Sequence, residues 1–220
     1  MIAKELISYH IPSASCSSSG DEILNWMDEY RSDHCPLVDN GNYHGIISDS
    51  EIYDLPDSNL PINKIKPNLV RPFVNVYSHI YEIINLLSQY NISIVPVLDD
   101  KEEYIGVITS HDVAVQLAKI TNVNEPGGIL ILEVNARDYS LAQAAQIVES
   151  DNAKILSSYI YSIADSLKIE LVLKINKKDL SSIISAFSRY NYIVKASYHE
   201  SKFDDDIQRR YEQFMNYLNM

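Results

Sequence analysis

The chain has 220 residues, of which 46% are hydrophobic, enough for one large domain or two small ones with packed cores. Its formal net charge of -12 disfavours binding to nucleic acid or to an anionic membrane, because both need a basic surface. Cys16 and Cys35 are too few for a disulfide framework and lack the close spacing of a zinc-binding pair. No signal-peptide pattern or apolar run of about 20 residues is seen, so we expect a soluble, cytoplasmic protein.

The chain repeats itself at an interval of about 60 residues. Residues 104–113 have the pattern of a short apolar strand that runs into a capped helix, and residues 43–52 have the same pattern 61 positions earlier. Upstream the offset is 60, which aligns Pro36 with Pro96. The one-residue difference falls in the polar turn between the two strands, where an insertion costs little. Such a repeat indicates two copies of one structural unit.

Each copy is predicted to contain a helix, a two-stranded hairpin and the start of a second helix. A serine-rich loop over residues 11–20 precedes the first helix, and Ser19 or Asp21 can cap it. The predicted elements of the first half, in chain order, are a helix at 23–30, strands at 36–38 and 45–47, a helix from 48, a linker at 55–61, a helix at 80–90, strands at 92–98 and 105–108, and a helix to about 119.

The second half has a different pattern, and the breaker Pro126-Gly127-Gly128 marks the boundary. Its predicted elements are a strand at 129–134, a helix at 140–150, strands at 153–162 and 169–175, a helix at 179–189 and a strand at 192–198. This βαββαβ order implies an antiparallel sheet covered by two helices on one face. The apolar spacing within residues 204–220 predicts an amphipathic helix. This helix either docks on its own domain or makes a dimer contact.

A strand that runs into a capped helix leaves backbone N–H groups and a positive dipole end at one point, which suits an anion such as phosphate. In the second copy, the Thr109 hydroxyl and the Asp112 carboxylate beside this point could hold a ribose. The alternative is a capped helix that binds nothing. We expect Asp112→Ala to remove affinity for such a ligand with little change in melting temperature, whereas a large loss of stability would mark Asp112 as a structural cap.

Each copy resembles a CBS motif, and the tandem resembles a CBS pair, or Bateman module. The resemblance rests on the order of a helix, a strand with a central proline and a hairpin. It also rests on the motif Gly-hydrophobic-hydrophobic-Ser/Thr, in which an acidic residue follows the Ser/Thr by three positions. It covers residues 1–122, with motif one at about 1–60 and motif two at about 61–122. Residues 127–200 resemble an ACT-like domain by element order. The expected fold class is α+β, with tandem CBS motifs, a ferredoxin-like/ACT-like βαββαβ domain and a C-terminal helix.

CBS pairs often bind adenine nucleotides or related adenosyl compounds in two clefts between the motifs. The resemblance implies ribose or phosphate contacts for the Ser/Thr and acidic residues, an adenine pocket around the proline, and a phosphate contact for His111. The implied residues are Thr109, His111, Asp112, Ile94, Val95 and Pro96 in the second copy and Ser48, Glu51 and Pro36 in the first. Glu51 replaces the usual aspartate and Asp49 adds negative charge, so we expect the second site to bind better.

The leading hypothesis is a non-catalytic regulatory protein, not an enzyme, that senses AMP, ADP, ATP or S-adenosylmethionine and needs no other cofactor or metal. A homodimer is expected, and the signal would pass to the dimer mate or to an unidentified protein partner, without nucleic acid or membrane. The alternative is a structural dimerisation module with vestigial clefts. A catalytic or enzyme-accessory protein is a third class, but six scattered histidines and the lack of a P-loop, GxSxG or Rossmann motif disfavour it. The loop at 135–140 lacks the glycine typical of amino-acid-binding ACT domains.

Overall fold

The computed structural model describes residues 1–65, 69–163 and 166–199. They fall into two compact units, the first over Met1–Gln116 and the second beginning at Leu117. The elements in chain order are a 3-10 helix Ala3–Glu5, α1 Gly20–Tyr30, β1 His34–Asp39, β2 Asn42–Ser48, α2 Asp49–Tyr53, α3 Ile62–Ile65, β3 Val74–Asn75, α4 Ile80–Tyr90, β4 Ile94–Leu98, β5 Tyr104–Thr109, α5 Ser110–Ile120, β6 Gly128–Asn135, α6 Leu141–Glu149, β7 Ile155–Ser162, β8 Lys168–Ile175, α7 Ser181–Arg189 and β9 Ile193–His199.

The two copies of the repeat build the same hairpin, as the sequence predicts. β1 pairs antiparallel with β2, β4 pairs antiparallel with β5, and both hairpins carry an irregularity at the corresponding position. Asn40 and Gly41 join β1 to β2 with φ values of 51° and 83°, the backbone of a two-residue type I′ turn. The predicted cap of the first helix is also confirmed, because the Ser19 hydroxyl accepts from the Glu22 N–H at 3.3 Å.

The opening segment of each copy crosses the hairpin of the other copy. Ser8 N–H donates to the Val107 carbonyl at 2.8 Å, and Ile46 N–H donates to the Val70 carbonyl at 3.0 Å. The glycine of each motif lies under the crossing segment, and a Cβ added at either position would come within 2.7 Å of an atom of that segment. The repeated glycine is therefore explained by close approach between the copies.

Apolar faces of the helices and hairpins form the core of the first unit. β4 is buried along its whole length, from Ile94 to Leu98. The fully buried side chains that surround α1 and the first hairpin include Ile23, Leu37, Ile47, Ile52 and Ile62. No helix within the described ranges is long and apolar enough to span a membrane.

The second unit has the predicted βαββαβ order. Its strands form one antiparallel sheet in the order β7-β8-β6-β9. Both helices pack on one face of this sheet, since α6 and α7 contribute to a single core that also contains Leu130, Leu132, Leu171 and Leu173. The Ser140 hydroxyl accepts from Gln143 N–H at 3.2 Å and caps α6 as predicted.

Two predictions are not settled by these elements. The predicted C-terminal helix at residues 204–220 lies outside the described residues. The domain boundary at 122–128 stays a prediction, whereas the compact units divide after Gln116.

The sequence did not predict α3 and β3, because elements of 4 and 2 residues are too short to show a periodic pattern.

Candidate ligand site

The predicted ribose-binding pair of the second copy forms a capping box at the start of α5. Asp112 N–H donates to Thr109 Oγ1 at 3.0 Å. In return, the Asp112 carboxylate accepts from the Thr109 N–H at 3.1 Å and from the Thr109 hydroxyl at 2.6 Å. All three contacts serve the helix end, so the pair has a structural role whether or not a ligand binds.

The first copy builds the same box with a glutamate. Glu51 accepts from the Ser48 N–H at 2.8 Å and from its hydroxyl at 2.9 Å, and Glu51 N–H donates to Ser48 Oγ at 3.2 Å. The extra methylene of Glu51 therefore does not prevent the cap. Ser50 Oγ also lies 3.0 Å from Ser48 Oγ.

The predicted phosphate contact, His111, is exposed in the first turn of α5. The first N–H group of each helix is already engaged, because Ser110 N–H donates to the Ser93 carbonyl at 2.9 Å and Asp49 N–H donates to the Asp33 carbonyl at 3.1 Å. Fewer backbone donors thus remain for an anion than the sequence pattern suggests.

The residues predicted to line the adenine pocket lie inside the hairpins. Ile94 is 1% exposed and Val95 is fully buried, and Pro96 and Pro36 are buried as well. The hairpin register places Ile94 beside Thr109. The strand residues and the capping box of the second copy are therefore neighbours, but a base that packs on these side chains needs them to be uncovered.

A polar cavity of about 530 Å³ opens between the two copies. Of the predicted site residues it contains Ser48, whereas Thr109, His111 and Asp112 do not line it. The lining residues are Asp33, His34, Ser48, Asp49 and Ser50 from the first copy and Asn91, Ile92 and Ser93 from the second. We call this cavity the first cleft. It fits the size range of small-molecule sites, but it is more polar than most of them.

Hydrogen bonds between the copies fix one wall of the first cleft. Nδ1 of His34 lies 3.1 Å from the Ser93 hydroxyl and accepts from the Ser93 N–H at 3.3 Å. The buried Ser32 donates to the His34 carbonyl at 2.7 Å and lies 3.2 Å from the Ser93 hydroxyl. This network holds the His34 ring in place without a ligand.

The first cleft is acidic. Asp33 and Asp49 contribute carboxylates, and none of the cavity-lining residues in the described ranges is a lysine or arginine. Burial lowers the pKa of His34, although the nearby carboxylates oppose this effect, so the ring adds no full positive charge at neutral pH. The cleft therefore repels phosphate groups and suits neutral or cationic ligands.

Sequence analysis missed Asp33, His34, Asn91 and Ser93 as lining residues. Three of them, Asp33, Asn91 and Ser93, lie in the short connection between a helix and the next strand, and His34 begins β1. One signal could have identified two of them, because Asp33 and Ser93 are polar residues that correspond at the 60-residue offset.

Comparisons with known proteins match the second copy of the repeat and, more loosely, about half of the chain. The family model of the CBS domain matches residues 65–119. A CBS domain-containing protein of Dictyostelium discoideum is 27% identical over 135 residues, which are 54% of this chain and 93% of that protein.

Among solved structures, a CBS domain pair/ACT domain protein of Thermotoga maritima is 23% identical with a TM-score of 0.48, over 54% of this chain and 98% of that one. CBSX2, solved in complex with AMP, is 17% identical with a TM-score of 0.47, over 54% of this chain and 97% of its own. Proteins that consist of a CBS-domain pair are generally non-catalytic regulatory modules. On the family match, the chain contains a CBS domain over residues 65–119.

Proposed function

We propose that this chain is a non-catalytic regulatory protein in which two CBS motifs form a pair that binds an adenosyl ligand. The observation that carries the proposal is the repeated capping box, Ser48 with Glu51 and Thr109 with Asp112, together with a polar cleft between the copies. Hydroxyl and carboxylate oxygens can accept hydrogen bonds from the hydroxyl groups of a ribose.

Each capping box can make a ribose contact without being broken. Among the described residues, the contacts of the Asp112 carboxylate run through Oδ2, and those of Glu51 run through Oε2. The second oxygen of each carboxylate can accept a hydrogen bond from a sugar hydroxyl. Ligand binding then adds to the cap rather than competing with it.

The two sites differ in charge, so each favours a different class of ligand. In the first cleft, Asp33 and Asp49 oppose the phosphates of ATP and favour the sulfonium and ammonium groups of S-adenosylmethionine. In the second copy, the exposed His111 in the first turn of α5 is the better partner for a phosphate. We therefore propose S-adenosylmethionine or adenosine for the first cleft and a nucleotide such as AMP for the second site.

The βαββαβ unit is proposed to be an ACT-like regulatory domain that passes the ligand state to a dimer mate or a protein partner. The element order and the sheet order support this proposal. The loop from Asn135 to Ser140 contains no glycine, and Arg137 within it is exposed. We therefore propose signalling through contacts in a cytoplasmic homodimer, rather than binding of an amino acid, for this unit.

A second candidate function is a structural module with vestigial clefts. The observation that favours it is the burial of Ile94, Val95 and Pro96, which leaves these side chains covered in the absence of a ligand. In that case the capping boxes only stabilise the N-terminal ends of the helices, and the two copies serve as a packing and dimerisation unit.

Thermal unfolding with AMP, ADP, ATP and S-adenosylmethionine tests the proposal. A ligand at about 100 times its dissociation constant stabilises the folded state by about 2.7 kcal/mol, which is a visible shift. Asp49→Asn removes one cleft charge at constant size and should reduce the shift with S-adenosylmethionine relative to ATP. If no compound shifts the transition at millimolar concentration, the structural module is the correct function.

A further inference from the structure

One thiol, one carboxylate and one imidazole meet in the first copy. A ligand atom of Cys16, one of Asp39 and one of His44 all lie within 4.8 Å of one another. Nε2 of His44 is 3.3 Å from Oδ2 of Asp39. Sequence spacing did not reveal this group, because Cys16 belongs to the serine-rich loop whereas the other two residues flank the hairpin turn.

A β-bulge turns His44 toward this point. In the β1–β2 hairpin, Leu37 pairs with Gly45 and Val38 pairs with Tyr43, so His44 is the extra residue without a partner. A bulge of this kind re-aims a side chain that would otherwise alternate with its neighbours. The serine-rich loop lies alongside, because Val38 N–H donates to the Ala14 carbonyl at 2.9 Å.

Hydrogen bonds orient the Asp39 carboxylate. Its Oδ1 accepts from the Ser15 hydroxyl at 2.7 Å and from the Cys16 N–H at 3.2 Å. Oδ2 is thereby turned toward His44. Such outer contacts are what hold a metal ligand in its binding orientation.

We propose that Cys16 Sγ, Asp39 Oδ2 and His44 Nε2 bind a Zn²⁺ ion, with a water molecule as the fourth ligand. Zinc takes sulfur, nitrogen and oxygen ligands in a tetrahedron, with bonds of about 2.0 to 2.3 Å. Two ligands at these bond lengths are about 3.4 Å apart, so the His44–Asp39 distance of 3.3 Å already matches one edge. The thiol releases its proton to solvent on binding, and thiolate and carboxylate together balance the charge of the ion.

The second copy provides an internal comparison. Its hairpin carries the same bulge, with Ile105 as the extra residue between Tyr104 and Gly106. The position that corresponds to Cys16 at the 60-residue offset is Val76. Since neither side chain ligates metal, the site belongs to the first copy alone. There it joins the serine-rich loop to the hairpin and is separate from the residues that line the first cleft.

Titration of the metal-free full-length protein with Co²⁺ tests the site, because thiolate coordination gives a near-ultraviolet charge-transfer band and tetrahedral geometry gives intense visible bands. We expect both bands to saturate at about one equivalent and to disappear when Zn²⁺ is added. Cys16→Ser should remove the charge-transfer band. Ser15→Ala should weaken binding about tenfold through the orientation of Asp39.

His44→Ala should weaken Co²⁺ binding strongly, whereas the matched control His10→Ala, at an exposed histidine of the same unit, should bind as the wild type does. Circular dichroism shows that each variant is folded. The proposal is overturned if one equivalent of Co²⁺ gives no charge-transfer band. It is also overturned if the band persists in Cys16→Ser, which would assign the thiolate to Cys35.

Discussion

The imidazole of His34 accepts a hydrogen bond from the backbone of Ser93, with 3.3 Å between Nδ1 and the amide nitrogen. His34 begins β1 of the first copy and Ser93 immediately precedes β4 of the second, so the contact joins the two copies at the wall of the first cleft. A backbone N–H can only donate, and Nδ1 is therefore unprotonated. The neutral ring carries its proton on Nε2.

This contact predicts that the stability of the first unit falls as the pH drops below about 6.5. Burial lowers the pKa of His34 from its ordinary value of 6.5, so the unfolded chain takes up the proton at a higher pH than the folded protein. Neutral His34 therefore contributes fully to stability above pH 6.5, and this contribution is lost as the pH falls below that value. Urea unfolding at pH 7.5 and 5.5 measures the change.

His34→Asn is the matched variant for the pH experiment, because its side-chain oxygen can replace Nδ1 as the acceptor for Ser93 N–H. We expect the variant to lose less stability than the wild type between the two pH values. An equal loss in both proteins would mean that His34 does not carry the effect.

The two motif glycines predict unequal costs of substitution. At Gly45 the φ of +151° is unfavourable for other residues, and an added Cβ would lie 2.7 Å from the Val70 carbonyl oxygen. At Gly106 the close contact would be with the Cγ2 methyl of Ile7, also at 2.7 Å, and this side chain can move. We expect Gly45→Ala to cost about 3 kcal/mol and Gly106→Ala about 1 kcal/mol in the free energy of unfolding. Equal costs in urea unfolding would contradict the crossing geometry.

The capping box at α5 predicts that Asp112→Ala destabilises the ligand-free protein. The loss of the contacts to Thr109 should cost about 1 kcal/mol, a larger effect than the sequence pattern alone led us to expect. Asp112→Asn keeps an acceptor for the Thr109 donors and should retain most of the stability. Differential scanning calorimetry of both variants without ligand separates the structural role from any ribose contact, and an unchanged transition in Asp112→Ala would argue against the cap.

Local signals account for most of the fold that the sequence predicts. The Asn40-Gly41 turn, the Ser19 and Ser140 caps and the apolar periodicity of the helices each depend on nearby residues, and each is confirmed. The crossing of Ile7 and Ser8 over the opposite hairpin depends on contacts about 100 residues apart, and single-sequence patterns do not encode such contacts.

The candidate site was less predictable than the fold for the same reason. Thr109 and Asp112 were identifiable by their spacing, and the structure joins them by a hydrogen bond from Asp112 N–H to Thr109 Oγ1. The first cleft instead arises where two copies meet, so Asp33 and Ser93 acquire their role only from the packing of the pair. The group around His44 depends on a bulge, which has no reliable sequence signature.

Isothermal titration calorimetry of the full-length protein with S-adenosylmethionine and with ATP tests the central claim most directly. The account predicts saturable binding of S-adenosylmethionine, together with weaker binding of ATP that improves in Asp49→Asn, because that carboxylate lines the acidic first cleft. The absence of heat from both compounds at millimolar concentration would contradict the proposal that the two copies bind an adenosyl ligand.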